Sequence, residues 1–218
     1  MTQRATTKRF GRKHIVLSIG AAALVAAFMA WQLDLFAIVD DKGDCAETVA
    51  IFGHDPKHAA AVCLRQAKEG NAIAQTDIGK MYAEGRGVSQ DFDQAKTWFE
   101  KAVLQKQPDA LYNLGLLYAN GDGVEQNWTE AVRWYRPAAE LGQSDAENSL
   151  GLRYEKGQGV EKDLVQAYKW FVISLDHTDR PADRAMAIAN RDRVAKLMAP
   201  EQIADAQNQI KAWKQASP

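Results

Sequence analysis

The chain has 218 residues, enough for one ordinary domain or one short array, and a formal net charge of −1. Arg4, Lys8, Arg9, Arg12 and Lys13 precede the first acid, Asp34; setting those five aside from 27 leaves 22 basic against 28 acidic residues, so the chain from Asp34 onward sums to −6. A basic tip on a mildly acidic body excludes the electrostatic footprint of a nucleic-acid binder and leaves the tip free to face a membrane.

After that tip, Ile15–Trp31 carries no charge and only Ser18 as a clearly polar side chain; Gln32 and Leu33 extend it until Asp34 stops it. As a helix, Ile15–Trp31 would be roughly 26 Å long at 1.5 Å per residue. That is the short end of a membrane span and the long end of a secretory signal core. Ala21-Ala22-Ala23 sits too early in the run for cleavage, Val25-Ala26-Ala27 is better placed, and Phe28 and Met29 oppose a later site. The reading taken is a transmembrane helix or signal-anchor over 15–33, with residues 1–14 as a cytoplasmic tip and 34–43 as a linker. A soluble exported chain after signal cleavage is the alternative. Either way the positive tip stays inside and the remainder is exported.

Asp44-Cys45-Ala46-Glu47 has the shape of a capping box, Gly53-His54 breaks the helix it starts, and Asp55-Pro56 starts the next with Asp as N-cap and Pro at the first helical position. Residues 44–73 thus read as an N-terminal capping helix pair. Cys45 and Cys63, the only cysteines, are equidistant from residue 54, so an antiparallel hairpin sets them level. Export to an oxidising compartment then predicts a Cys45–Cys63 disulfide, contributing about 3 kcal/mol in the chain-entropy model. Two buried free thiols are the alternative. With only His54 and His58 nearby, no metal site is expected.

From Ala74 one unit recurs three times with a period of 36 residues, over 74–109, 110–145 and 146–179. Tyr82, Tyr118 and Tyr154 fall in step, as do Gly85/Gly87, Gly121/Gly123 and Gly157/Gly159, and Trp98, Trp134 and Trp170. In the first unit Ala74, Ile78, Met81 and Tyr82 share one face of a helix A. Gly79 flanks that stripe and admits a close neighbour. Gly85 ends the helix in the left-handed conformation and Val88 follows as a plug. Helix B opens at Asp91, Asn127 or Asp163, with Gln94, Glu130 or Gln166 three residues on, so all three read as capping boxes. Ala95, Trp98, Phe99 and Ala102 form its buried face, which makes the tryptophan ladder core rather than a ligand stripe. Lys106 stands where the other turns have Gly70 and Gly142, and Pro137 inside a helix B predicts a kink. Over 180–218, Arg180–Met198 reads as a longer helix A and Pro200–Trp213 as a polar-faced helix B, together a terminal cap.

These residues resemble the Sel1-like repeat, a relative of the tetratricopeptide repeat, over roughly 55–174. The resemblance implies an all-α, right-handed superhelical solenoid of antiparallel helix pairs, its concave face lined by A helices, and a scaffold or adaptor role in a bacterium. Combined with the N-terminal segment, it places the repeats in the periplasm, held by a single pass in the inner membrane and binding a protein or peptide partner of the cell envelope. No cofactor, small molecule or nucleic acid enters that reading.

Wheel positions opposite the A-helix core supply the candidate binding set: Thr76, Asp77, Lys80 and Glu84, then Tyr112, Asn113, Leu116 and Asn120, then Asn148, Ser149, Leu152 and Lys156. Tyr112, Leu116 and Leu152 make an apolar centre with a polar rim, a composition typical of interaction surfaces. The alternative is that the leucines pack against neighbouring A helices or the cap. No catalytic residue is assigned. The glycine pairs lack the third glycine of a dinucleotide loop, Ile78-Gly79-Lys80 lacks the upstream glycine of a phosphate loop, and His14, His54, His58 and His177 are scattered, in surface or capping roles. Some cysteine-rich relatives bind or hydrolyse β-lactams, so a periplasmic enzyme of that type is the alternative function, although their cysteine pair per repeat is absent here.

Overall fold

The computed structural model describes Cys45 and residues 55–216. The basic tip, the segment at 15–33 expected to be a membrane helix, the linker and, Cys45 apart, the first helix expected of the N-terminal pair lie outside the described residues. Among the described residues no helix is long and apolar enough to cross a membrane.

Within 55–216 the secondary structure is a series of helices joined by turns: α1 (Pro56–Lys68), α2 (Ala72–Glu84), α3 (Phe92–Val103), α4 (Pro108–Asn120), α5 (Trp128–Glu140), α6 (Ser144–Lys156), α7 (Leu164–His177), α8 (Pro181–Ala195) and α9 (Pro200–Ala216). The pairs α2–α3, α4–α5 and α6–α7 pack tightly, and each stacks on the next, giving the expected all-α solenoid. Helix α1 begins with Asp55 accepting from the Lys57 and His58 amides and Pro56 in the first turn. Each A helix starts two residues upstream of Ala74, Ala110 and Ala146, capped by Asn71, Gln107 and Gln143.

The B helices open at the expected caps, with Asp91, Asn127 and Asp163 side chains accepting first-turn amides. The boxes are only half formed. Each cap residue donates its own N–H to a tyrosine carbonyl of the preceding A helix: Asp91 to Tyr82 at 2.9 Å, Asn127 to Tyr118 at 2.8 Å and Asp163 to Tyr154 at 3.0 Å. That donor is already satisfied, so the third-position side chain has no reason to return to it. Glu130 pairs instead with Arg133, and Gln166 reaches Gln209 of α9. One backbone bond per repeat therefore fixes where helix B leaves helix A.

The core repeats as the sequence does. Ala74, Ala110 and Ala146 are buried, as are Ile78, Leu114 and Leu150, and the rings of Phe99, Tyr135 and Phe171. Those rings lie against Gly79, Gly115 and Gly151, where an added Cβ would sit 2.5, 2.6 and 2.7 Å from ring carbons. Trp98 and Trp170 are buried and Trp134 half-buried. The Lys101 ammonium lies 3.9 Å from the Trp98 ring centre. Helix α5 continues through Pro137 to Glu140. Cys45 and Cys63 are bonded, with Cα atoms 4.7 Å apart, and both are buried with Ala59, Ala67 and Ile78.

Lys106 adopts φ 57°, the same left-handed conformation as Gly70 and Gly142 at φ 97° and 81°. A left-handed residue with a Cβ costs about 1–2 kcal/mol, part of which glycine loses again through the freer unfolded chain. Lys106→Gly is expected to stabilise the protein by about 1 kcal/mol, raising Tm by roughly 2–4 °C in a thermal melt. A lower Tm would show that lysine contacts, not backbone strain, dominate that turn.

The last two helices do not form a fourth pair. Helix α8 packs on α7, and α9 also packs on α7 rather than on α8. Ile203 and Ala206 of α9 join Val194, Met198, Ala167 and Phe171 in one cluster, and Trp213 meets Trp170 edge-on at 6.2 Å between ring centres. The terminal helix thus covers the last B helix.

Candidate functional site

The A-helix positions singled out from the wheel separate into three groups. Thr76 is buried and donates to the Ala72 carbonyl at 2.9 Å, so it offers no surface. Asn113 donates to the Asp109 carbonyl at 2.7 Å, and exposed Asn120 donates to Asp122 at 3.0 Å. Leu116 packs against Ala131 and Tyr135, and Leu152 against the cluster of α7, α8 and α9. Lys80 sits 3.9 Å from Asp77 and 3.8 Å from Asp109, bridging the first A helix to the second. Glu84 pairs with Arg86, and Lys156 is exposed.

The third group converges. Tyr112 of α4 and Asn148 and Ser149 of α6 line a cleft of about 180 Å³. Its other walls are Ser144 and Asp145 at the start of α6, Ser174 and Thr178 at the end of α7, and Asp183, Met186 and Ala187 of α8. The Tyr112 ring rests on Tyr135 at 5.6 Å, and Tyr112 and Ser149 face the same cleft. Burial pushes that phenol above its ordinary pKa. Ser144, Ser174, Thr178 and the α8 residues escaped the sequence reading because they lie off the A-helix wheel positions, at the start of α6, late in α7 and in the C-terminal cap.

Three polar contacts seat α8 on α6 along this cleft. Arg180, the residue before α8, donates from one guanidinium nitrogen to both Asp145 carboxylate oxygens at 2.7 and 2.9 Å and also pairs with Asp183. Asn190 donates to Asn148 at 2.9 Å. Arg193 grips Glu155 at 2.6 and 2.8 Å and thereby holds its carboxyl below the ordinary carboxylate range. The two-nitrogen fork of Arg193 on Glu155 is geometrically specific and helps set the orientation of α8 on the repeat.

Behind the cleft, Glu147 is fully buried and shares a 2.7 Å hydrogen bond with His177 Nδ1. Burial pushes the Glu147 carboxyl up to about 7 against the pull of His177. His177 in turn meets the edge of Trp213 at 6.0 Å. The same two repeat positions hold Gln75 and Gln105 in the first unit, bonded side chain to side chain at 3.0 Å, and Leu111 and Leu141 in the second. His177 itself is exposed at the last position of α7, as expected from sequence; what the sequence did not reveal is its buried partner, Glu147. Among the described residues no group of three His, Cys, Asp or Glu side chains is placed to hold a metal ion.

A family model described as Sel1 repeat matches residues 72–106, 108–143 and 144–177. No curated protein matches the chain. A Sel1 repeat protein from Oxalobacter formigenes is 32% identical, with 58% of this chain and 95% of that one covered and a TM-score of 0.51. A protective antigen of uropathogenic Escherichia coli strains, displaying an SLR fold, is 26% identical over 74% of this chain and 42% of its own, at a TM-score of 0.52. The cysteine rich protein B of Helicobacter pylori shares the fold at 20% identity, covering 60% of this chain and 96% of that one, with a TM-score of 0.50.

Proposed function

We propose that this chain, which belongs to the Sel1 repeat family, is a protein–protein interaction scaffold of the bacterial cell envelope whose A-helix face receives a protein or peptide partner. Proteins of this family generally serve as interaction scaffolds, typically without catalysis. The observation that carries the site is the cleft bounded by α4, α6, α7 and α8, the place where wheel-selected Tyr112, Asn148 and Ser149 meet beside exposed Met186. A concave site with an apolar wall and several converging polar groups is the usual form of a recognition pocket. Lys80, Asp77 and the polar ends of α2 and α4 extend the same face and are the second part of the proposed surface.

The Cys45–Cys63 disulfide supports export, since such bonds persist in oxidising compartments. The finer reading is an inner-membrane anchor over 15–33 with the repeats in the periplasm, supported by the basic tip and the uncharged run that follows it. Release by cleavage is the competing form, and the mass of the mature N-terminus separates the two.

Site-specific photo-crosslinking in the native cell tests the face. A crosslinker at Met186 is expected to give one discrete adduct, identified by mass spectrometry, while one at exposed Thr97 of α3 gives none. Equal capture from both positions, or none from either, would overturn the assignment.

A further inference from the structure

Three features of the cleft narrow what it accepts. First, its wall carries two carboxylates, Asp145 and Asp183, and no cationic side chain. Arg180 pairs with both from outside the lining, which fixes their orientation and leaves one negative charge over. Second, Thr178 is 4% exposed, and among the described residues nothing pairs with its hydroxyl. A hydroxyl buried without a partner is costly, so it is kept only where something rewards it. Third, Met186 and Ala187 give one apolar wall. The helix starts at α6 and α8 would by themselves attract an anion, but Asp145 and Asp183 already occupy their first turns.

An ammonium answers these features better than a guanidinium. Its three rotatable donors suit scattered hydroxyl and carboxylate acceptors, whereas a guanidinium needs a planar carboxylate fork, and Arg180 already uses the fork of Asp145. The space is sufficient: a cavity of about 150 Å³ accepts a benzene-sized guest, and this one is about 180 Å³. The charge of −6 beyond Asp34 draws basic partners at long range.

Resting on the scaffold reading above, we propose that the cleft is a subsite for a lysine side chain of a protein or peptide partner. The ammonium sits among Thr178, Ser149, Asp145 and Asp183, and the aliphatic stem lies on Met186 and Ala187.

The test titrates the full-length chain with Nα-acetyl-lysine methylamide and, separately, with its norleucine isostere, read by amide NMR. The lysine compound is expected to give saturable shifts centred on Thr178, Asn148 and Asp183, and norleucine none. Thr178→Val is expected to weaken lysine binding about fivefold, the worth of one hydrogen bond. The same change removes the unpaired hydroxyl and is expected to raise Tm by about 2–4 °C, which separates lost recognition from lost folding. No saturable shift, equal shifts from norleucine, or unchanged affinity in Thr178→Val would overturn the proposal. If it fails while Met186 still yields its adduct, the scaffold reading stands and only the lysine specificity falls. If both fail, the face itself is misassigned.

Discussion

Replacing Gly159 by alanine is expected to destabilise the protein by about 3–4 kcal/mol, against about 1 kcal/mol for the same change at Gly157. Both residues are left-handed, at φ 73° and 66°, so both variants incur the backbone strain of a Cβ in that region. Only Gly159 adds a collision. A Cβ there would lie 2.2 Å from the Trp128 carbonyl oxygen, in the first turn of the preceding B helix, whereas at Gly157 the nearest atom is a Lys162 side-chain carbon at 3.3 Å. A helix backbone cannot move aside as a side-chain end can, so the repeats must separate locally. The contact recurs: Gly87 lies against Pro56 and Gly123 against Phe92 at the same step of the array. The second glycine of each loop is therefore a stacking contact between units. Urea unfolding of the two variants decides the matter, and equal losses would show that strain alone explains the glycines.

The second large effect is a stability that falls as pH rises. Glu147 is held up to about 7 from an ordinary 4.5 by burial, the largest cause, despite His177 at 2.7 Å. The folded chain thus binds this proton more tightly than the unfolded chain does. The stabilisation is complete below 4.5, is lost progressively between 4.5 and 7, and is flat above. A displacement of that size corresponds to about 3 kcal/mol. The titratable groups facing Glu147 are His177 and Asp176 of α7, and Asp176 is salt-bridged to Lys214 of α9 at 2.6 Å. Glu147→Gln is expected to remove the slope, and Glu147→Gln with His177→Gln, which copies Gln75 and Gln105 of the first repeat, to be level across the range. Denaturation of wild type and both variants at pH 5 and 7.5 measures it. Parallel profiles for wild type and Glu147→Gln would place the pH dependence elsewhere.

Much of the solenoid was legible because its determinants are short-range and written three times. The i, i+4 stripe around Ile78, Leu114 and Leu150, the caps at Asp91, Asn127 and Asp163, and the left-handed Gly85, Gly121 and Gly157 each act within one turn of chain. The level cysteines followed from hairpin symmetry alone. The half-formed capping boxes show where local reading stops: the residue types were right, but a tyrosine carbonyl from the neighbouring helix had already taken the donor.

By itself, then, the sequence determined the repeat, its period, the helix pair inside it, the disulfide and the family. Tertiary structure alone decided three things. It laid α9 on α7 instead of α8, it joined Glu147 to His177, and it closed a cleft around Tyr112, Asn148 and Thr178. The reason is physical. Periodicity reports which face of a helix is buried, and every repeat says it again. A site is made where repeats differ, by residues 30 or more positions apart, such as Glu147 with His177 or Asp145 with Arg180. Only the packed chain brings such residues within hydrogen-bonding distance.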